Sequence, residues 1–424
     1  MKKKWHNVLA WSIWLLSSLF MFYKYAIEVS PSVMTNHLMG EFGIDGAQLG
    51  NLAACYFYAY LIMMIPGGLL IDRYGPRKVT TIAIALCGLG AIIFAFGDNL
   101  FLAQLGRFIS GIGAAFAAVN CLKLTATWFP AKRFAFMAGL MMSLGMLGCV
   151  GGQAPLNALI NALEWRGALF AIGVGGVALS LIFFLVVRDR SKHFVHEASL
   201  APAKSDLWKS CIAVFKNKQG WILSVYSGLA FAPITVFGGL WGVPFLTEAF
   251  TMTKTQAANT ISLLFFGFAA GAPLWGWISD RIGTRKKVMY LGTSLSVLAI
   301  CLILYAPLSN WLLWIVMFGF GFFISSFLLC FTMIREINAP TVAATAIAFM
   351  NAFDALLGAL SDPLTGQFLD MGWQGVVVDG ARIFSASAYK MALTTIPVYL
   401  VIALGCLVFI KETFCKSVYP SSMP

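Results

Sequence analysis

The chain has 424 residues, 60% of them hydrophobic and only 11% charged, with a formal net charge of +12. That composition excludes an ordinary soluble domain. The positive excess does not point to nucleic acid, because it is spread over alternate loops and does not form one basic face.

Taken in chain order, apolar stretches long enough to cross a bilayer as helices recur throughout. The expected spans are 8–38, a second from about 47 that ends at the charged motif beginning at Pro66, 79–96, 101–128, a fifth opening at Phe129-Pro130-Ala131-Lys132-Arg133, and 165–187. The basic start Lys2-Lys3-Lys4 precedes the first span. Lys24 and Glu28 inside it, with no small-residue cleavage site, argue for a retained helix over a secretion signal. The fifth span carries a stripe of Gly139, Gly145, Gly148, Gly151 and Gly152, suited to close helix packing. A charged linker, 188–220, follows. Within it Ser205-Asp206 is expected to cap a short interfacial helix with Leu207, Trp208, Cys211, Ile212 and Phe215 on one face; a plain cytoplasmic linker is the alternative. The second half repeats the plan at 221–250, 257–279, 288–307, 311–333, 341–369 and 388–410, with a tail at 411–424. The expected domains are therefore 1–187, 188–220, 221–410 and 411–424. The segment 371–389 is the longest on its side, and its role is not legible.

Lys and Arg concentrate in the N-terminus, the linker, the tail and every second loop, while the opposite loops hold Arg166, Lys254, Arg382 and Lys390. This asymmetry places both termini in the cytoplasm. The nine cysteines are scattered and form no C-x-x-C, and His6, His37, His193 and His196 show no paired ligand geometry, so neither a disulfide nor a metal site is indicated. H-E-x-x-H, G-x-S-x-G and Walker-type sequences do not occur, which argues against a membrane enzyme and against ATP-driven pumping.

One stretch occurs twice. Asp72, Arg73, Gly75, Arg77 and Lys78 fall on Asp280, Arg281, Gly283, Arg285 and Lys286 at an offset of 208 residues, each copy joining two apolar runs. Gly111 and Gly113 map onto Gly319 and Gly321 at the same offset. Internal repeats of this kind build many transporters. The tandem loops, together with Gly106-Arg107-Phe108-Ile109-Ser110-Gly111-Ile112-Gly113, resemble the major facilitator superfamily. The resemblance implies an all-α integral membrane fold: twelve transmembrane helices in two pseudo-symmetric six-helix bundles around a central cavity. Phe22-Tyr23-Lys24-Tyr25, Ser30-Pro31-Ser32-Val33-Met34 and Leu240-Trp241-Gly242-Val243-Pro244-Phe245-Leu246 resemble the phagosomal nutrient transporters of intracellular bacteria. That subgroup carries amino acids and nucleosides, which implies a small polar cargo and a bacterial inner membrane. Efflux subfamilies place a Gly-Pro step in the fifth helix; here Gly148 is followed by Cys149, against an exporter.

Helix N-termini favour nearby carboxylates. With Pro130 and Pro340 marking two such termini, Asp72 is expected to cap the eleventh helix and Asp280 the fifth, with Arg77 and Arg285 holding the loops and Arg73 and Arg281 completing the gating cluster. The alternative is a cluster that only anchors topology. Charged residues within the membrane are costly and mark function. Lys24, Glu28, Arg107 and Asp354 stand out, and by helical rise Lys24, Arg107 and Asp354 lie about 24, 21 and 18 Å from the cytoplasmic edge of a core about 30 Å thick. Their repeat equivalents, Ala232, Val236, Ile315 and Met146, are uncharged, so the scaffold does not require charge there. Two cations balance two carboxylates. An amphoteric ligand would place its carboxylate on Lys24 or Arg107 and its ammonium on Asp354 or Glu28, and a carboxylate is a candidate to carry a coupling proton. A fixed Glu28–Arg107 ion pair is the structural alternative. Tyr56, Tyr60 and Asn351 are candidate cavity-lining polar groups, and Tyr23, Tyr25, Phe237 and Trp241 candidate aromatic walls. Lys123, near a helix end, is expected to snorkel.

The expected function is import of an amino acid or short peptide by alternating access, driven by a proton gradient, with no cofactor. The chain is expected to be monomeric and to have the bilayer and a small molecule as its partners, with no nucleic acid. The alternatives are an organic-anion or nucleoside carrier, with an exporter or a transporter-like receptor less favoured.

Overall fold

Helix α1, Lys2–Val29, ends where Pro31 removes a backbone donor, and a 3₁₀ turn, Ser30–Val33, leads into α2, Thr35–Phe42. The first apolar run is therefore two helices at a step, not one span to residue 38. The computed structural model describes residues 2–129, 131–189, 212, 214–339 and 342–417. The proposed interfacial helix around Ser205-Asp206 lies almost wholly outside them, as do Pro130 and Pro340.

The helices group into two units, one of Met1–Leu200 with Val377–Arg382, the other of Ala201–Val376 with Ile383–Pro424. In the first unit α3 is Gly46–Tyr74, α4 Pro76–Phe96, α5 Leu100–Ala114, α6 Ala117–Trp128, α7 Ala131–Gly151 and α8 Ala154–Val186. α1 packs on α7, α4 on α5 and α8, and α3 on α5. The α7 stripe lets the backbones of α1 and α7 approach: a Cβ on Gly152 would lie 2.6 Å from the carbonyl oxygen of Ala26, and one on Gly145 would lie 2.9 Å from the Tyr25 ring. Gly139 faces open space. α8 is bent at Glu164, whose φ of 61° separates a short helix from the apolar run that starts at Trp165.

In the second unit α9 is Lys218–Pro233. After it the chain widens into a π-helical segment, Ile234–Trp241, and narrows again as α10, Gly242–Ala249. There follow α11, Lys254–Ile282; α12, Lys286–Tyr305; α13, Asn310–Ile324; a 3₁₀ turn, Ser325–Leu328; α14, Leu329–Glu336; α15, Ala343–Met371; α16, Ala386–Leu393; and α17, Thr395–Phe409. Among the described residues, nine helices are long and apolar enough to cross a membrane.

The repeat extends to helix ends. α3 and α11 are both 29 residues long, and each begins with a capping box: Asp45 with Gln48 in the first, Thr253 with Gln256 in the second. In each, the cap side chain accepts from the third helical N–H and the glutamine side chain accepts in return, satisfying two orphan donors. These paired caps occupy equivalent positions, 208 residues apart. The segment whose role was not legible holds a two-stranded hairpin, β1 Val377–Val378 and β2 Ala381–Arg382. Asp379 and Gly380, at φ 50° and 79°, supply the left-handed two-residue turn that such a ribbon needs. The hairpin lies against α2, where Gly40 leaves room for the Asp379 carbonyl, and so groups with the first unit although its sequence lies within 221–410.

Candidate functional site

In the first unit Lys24 and Glu28 lie one turn apart on α1, and their side chains meet at 2.6 Å. They are 6% and 9% exposed. The Lys24 ammonium lies 3.6 Å from the centre of the Tyr25 ring and 5.3 Å from that of Tyr60, so aromatic faces replace lost water around the charge. The Tyr56 hydroxyl reaches the Lys24 carbonyl at 3.4 Å.

Arg107, from α5, is 1% exposed, and its guanidinium donates to the carbonyls of Ile27 at 2.8 Å, Glu28 at 3.2 Å and Ala53 at 3.3 Å. Helix chemistry explains why those acceptors are available. The last carbonyls of α1 have no partner within the helix, and Pro31 brings no N–H to Ile27. Arg107 and the Ser30 hydroxyl, at 2.8 Å, donate to the Ile27 carbonyl instead. The guanidinium also stacks over Tyr56, 4.9 Å from its centre. The carboxylate of Glu28 thus closes on Lys24, while Arg107 ties the end of α1 to α3.

In the second unit Asp354, on α15 and 3% exposed, accepts from the Ser227 hydroxyl of α9 at 2.6 Å. Asn351 sits half-buried one turn earlier. Trp241 is fully buried, and its indole N–H reaches the carbonyl of Asp362 at 3.3 Å. Phe237 is buried against Phe245 and Phe320, a packing role. Asp362, 2% exposed, is a second buried carboxyl of the same helix. The rule that selected Asp354 selects it too, since it lies well inside the eleventh apolar run.

The repeated loops are tied down within their own units. The Arg77 backbone N–H donates to Asp189 at 2.7 Å, and its guanidinium donates to the Phe184 carbonyl at the end of α8. Arg285 meets Asp280 at 2.6 Å and Glu336 at 3.2 Å. Burial opposes the Arg285 charge, but the Asp280 and Glu336 carboxylates outweigh it and raise its pKa above the usual guanidinium value. Glu412, just past α17, accepts from the backbone N–H groups of Arg285 and Lys286 at 2.9 Å each. Each unit therefore sets a carboxylate that follows its last helix on the N-terminal end of another, α4 in the first unit and α12 in the second. Asp189 and Glu412 were not singled out from sequence; a carboxylate just past a span end, opposite a basic loop, is the signal that finds them. Arg73 and Arg281 are exposed and lie over Tyr74 and Trp277. The Asp72 side chain, like the prolines at the two expected helix starts, lies outside the described residues, so the expected cross-caps are not visible.

This two-unit helical protein, with charged side chains buried in apolar spans, belongs to the Major Facilitator Superfamily, whose profile matches residues 13–243 and 223–397. It is a multi-pass membrane protein of a transporter family, and the family and the relatives are transporters, not enzymes. A probable sulfoacetate transporter of Cupriavidus necator is 25% identical over 62% of this chain, and the match spans 63% of that relative's length. A lysosomal dipeptide transporter of Danio rerio is 24% identical over 82% of this chain and 78% of its own. Among solved structures, a bacterial homologue of the human lysosomal transporter Spinster, described as inward-facing and unoccupied, has the same fold. Its TM-score is 0.84, with 17% identity over 98% of this chain and 99% of that one.

Proposed function

We propose that this protein is a secondary transporter of a bacterial inner membrane, monomeric and with both termini cytoplasmic, that imports an amino acid or short peptide together with a proton. The observation that carries this reading is the buried Lys24–Glu28 pair beneath Tyr25 and Tyr60. A zwitterion inserts into such a pair without leaving a charge alone: its carboxylate takes Lys24, its ammonium takes Glu28, and one ion pair becomes two. Removing either partner would leave a buried charge unmatched, which costs several kcal/mol. Arg107, committed to three carbonyls, shapes this site and does not take the ligand. Asp354, beside a neutral hydroxyl, is the group assigned to the coupling proton. The dipeptide relative is compatible with an amphoteric cargo.

A second reading, an organic-anion carrier, is favoured by the cationic side of the same cluster and by the sulfoacetate relative. Uptake into proteoliposomes of labelled amino acids, dipeptides, nucleosides and organic acids, with and without an inward pH gradient, separates the two. The zwitterion reading expects amino-acid or dipeptide uptake that rises with the gradient and is lost in Lys24→Ala and in Glu28→Gln. Uptake confined to organic acids and indifferent to Glu28→Gln would replace it with the anion reading.

A further inference from the structure

We infer that Asp362 is a second proton-binding residue, joined to Asp354 by a polar seam between α15 and the α9–π-helical segment; the inference rests on the proton coupling proposed above. Both carboxyls are buried on one side of α15, eight positions apart, a rise of about 12 Å. Three contacts line up along the seam. The Ser227 hydroxyl donates to Asp354 at 2.6 Å. One turn on, Gly358 lets the Thr235 side chain close on α15: a Cβ there would lie 3.2 Å from the Thr235 hydroxyl oxygen, which donates to the Ala232 carbonyl at 2.9 Å. One turn further, the Trp241 indole holds the Asp362 backbone at 3.3 Å. The hydroxyl of Thr365, 1% exposed, lies one turn beyond Asp362.

Thr235 and Trp241 face α15 at this spacing because the chain between them is a π-helix, a departure from α geometry that recurs at functional sites. Pro363 removes the helical N–H that would serve the Ala359 carbonyl, so a further acceptor becomes available between the two carboxyls. A chain that needed only packing here would fill the seam with apolar side chains, as it does at Ala232 and Val236, both fully buried on the partner segment. The proton step balances simply. Asp362 releases a proton to water and becomes a carboxylate, and the water passes it past the Thr235 hydroxyl to the carboxylate of Asp354, which becomes neutral.

The titratable and charged groups on the elements packed against α15 are few. Cys330 on α14 lies within electrostatic reach of Asp354. On that helix Glu336 is engaged by Arg285, and Arg335 shares its exposed end. Tyr226 on α9 is bonded to Thr293, and Lys218 opens that helix. Tyr389 and Lys390 lie on α16, Tyr389 against Phe245 and Phe384. Tyr399 on α17 accepts from Ser361 at 3.3 Å. The π-helical segment brings none.

The test needs no substrate: pH-difference infrared spectra of the full chain in liposomes, read at the carboxyl C=O stretch. Wild type is expected to show two titrating bands. Asp362→Asn should remove one and move the midpoint of the other, Asp354→Asn should do the converse, and Asp362→Glu should restore a second titrating band. A spectrum of Asp362→Asn that overlays wild type, or an Asp354 midpoint that it leaves unmoved, overturns the pair. Gradient-driven uptake alongside separates the two claims. Linked bands in a protein whose uptake ignores the gradient uphold the pair and remove coupled transport. Gradient-driven uptake with no titrating Asp362 band does the reverse.

Discussion

Lys24 and Glu28 show how a single turn of helix makes a site affordable inside a membrane. Each charge alone would carry a desolvation cost of several kcal/mol, and their contact at 2.6 Å offsets most of it. Lys24→Met should therefore lower stability by about 3–5 kcal/mol, because Glu28 stays buried without its partner. Adding Glu28→Leu should recover most of that loss while transport stays abolished. Denaturant melts in detergent, set beside uptake assays, would check this. A double variant as unstable as the single one would mean that the pair serves the fold first. Arg107 was grouped with these two from sequence as a charge. Its geometry is that of a backbone clamp, because Pro31 leaves the Ile27 carbonyl in need of a donor.

Among elements, the matched capping boxes carry the repeat further than the signature loops do. Asp45→Ala and Thr253→Ala should each destabilise the helix they open by about 1 kcal/mol, with little effect on uptake. Thermal melts that differ widely between the two would deny the equivalence. The hairpin at Val377–Arg382 depends on Gly40. A Cβ at that position would sit 2.5 Å from the Asp379 carbonyl oxygen, so Gly40→Val should lift the ribbon from α2. Faster tryptic cleavage at Arg382 is the expected result, and unchanged cleavage would show that the contact does not hold the hairpin.

For the whole molecule, the two units repeat one tertiary device with different residues. Asp189 and Glu412 each place a carboxylate on the backbone N–H groups at the start of a helix, where the helix dipole favours negative charge. Glu412→Ala should cost about 1–2 kcal/mol and loosen the Arg285 loop, read as faster amide exchange at Arg285 and Lys286. Unchanged exchange there would reduce the tail to a bystander.

The membrane class, the internal repeat and the burial of Lys24, Glu28, Arg107 and Asp354 were all legible in the amino-acid order. Long apolar runs leave only helices as spanning structures, and a charge within such a run must be matched by a partner. Which partner each charge takes was not legible, since that depends on how helices far apart in sequence meet. Glu28 meets Lys24, one turn away on the same helix, while Arg107, the partner in the structural alternative, donates to carbonyls at the end of α1. The hairpin's place on α2, the π-helical widening opposite Asp362 and which backbone N–H groups the carboxylates past the span ends accept from were likewise decided by tertiary packing. Each depends on backbone groups that periodicity and composition do not register.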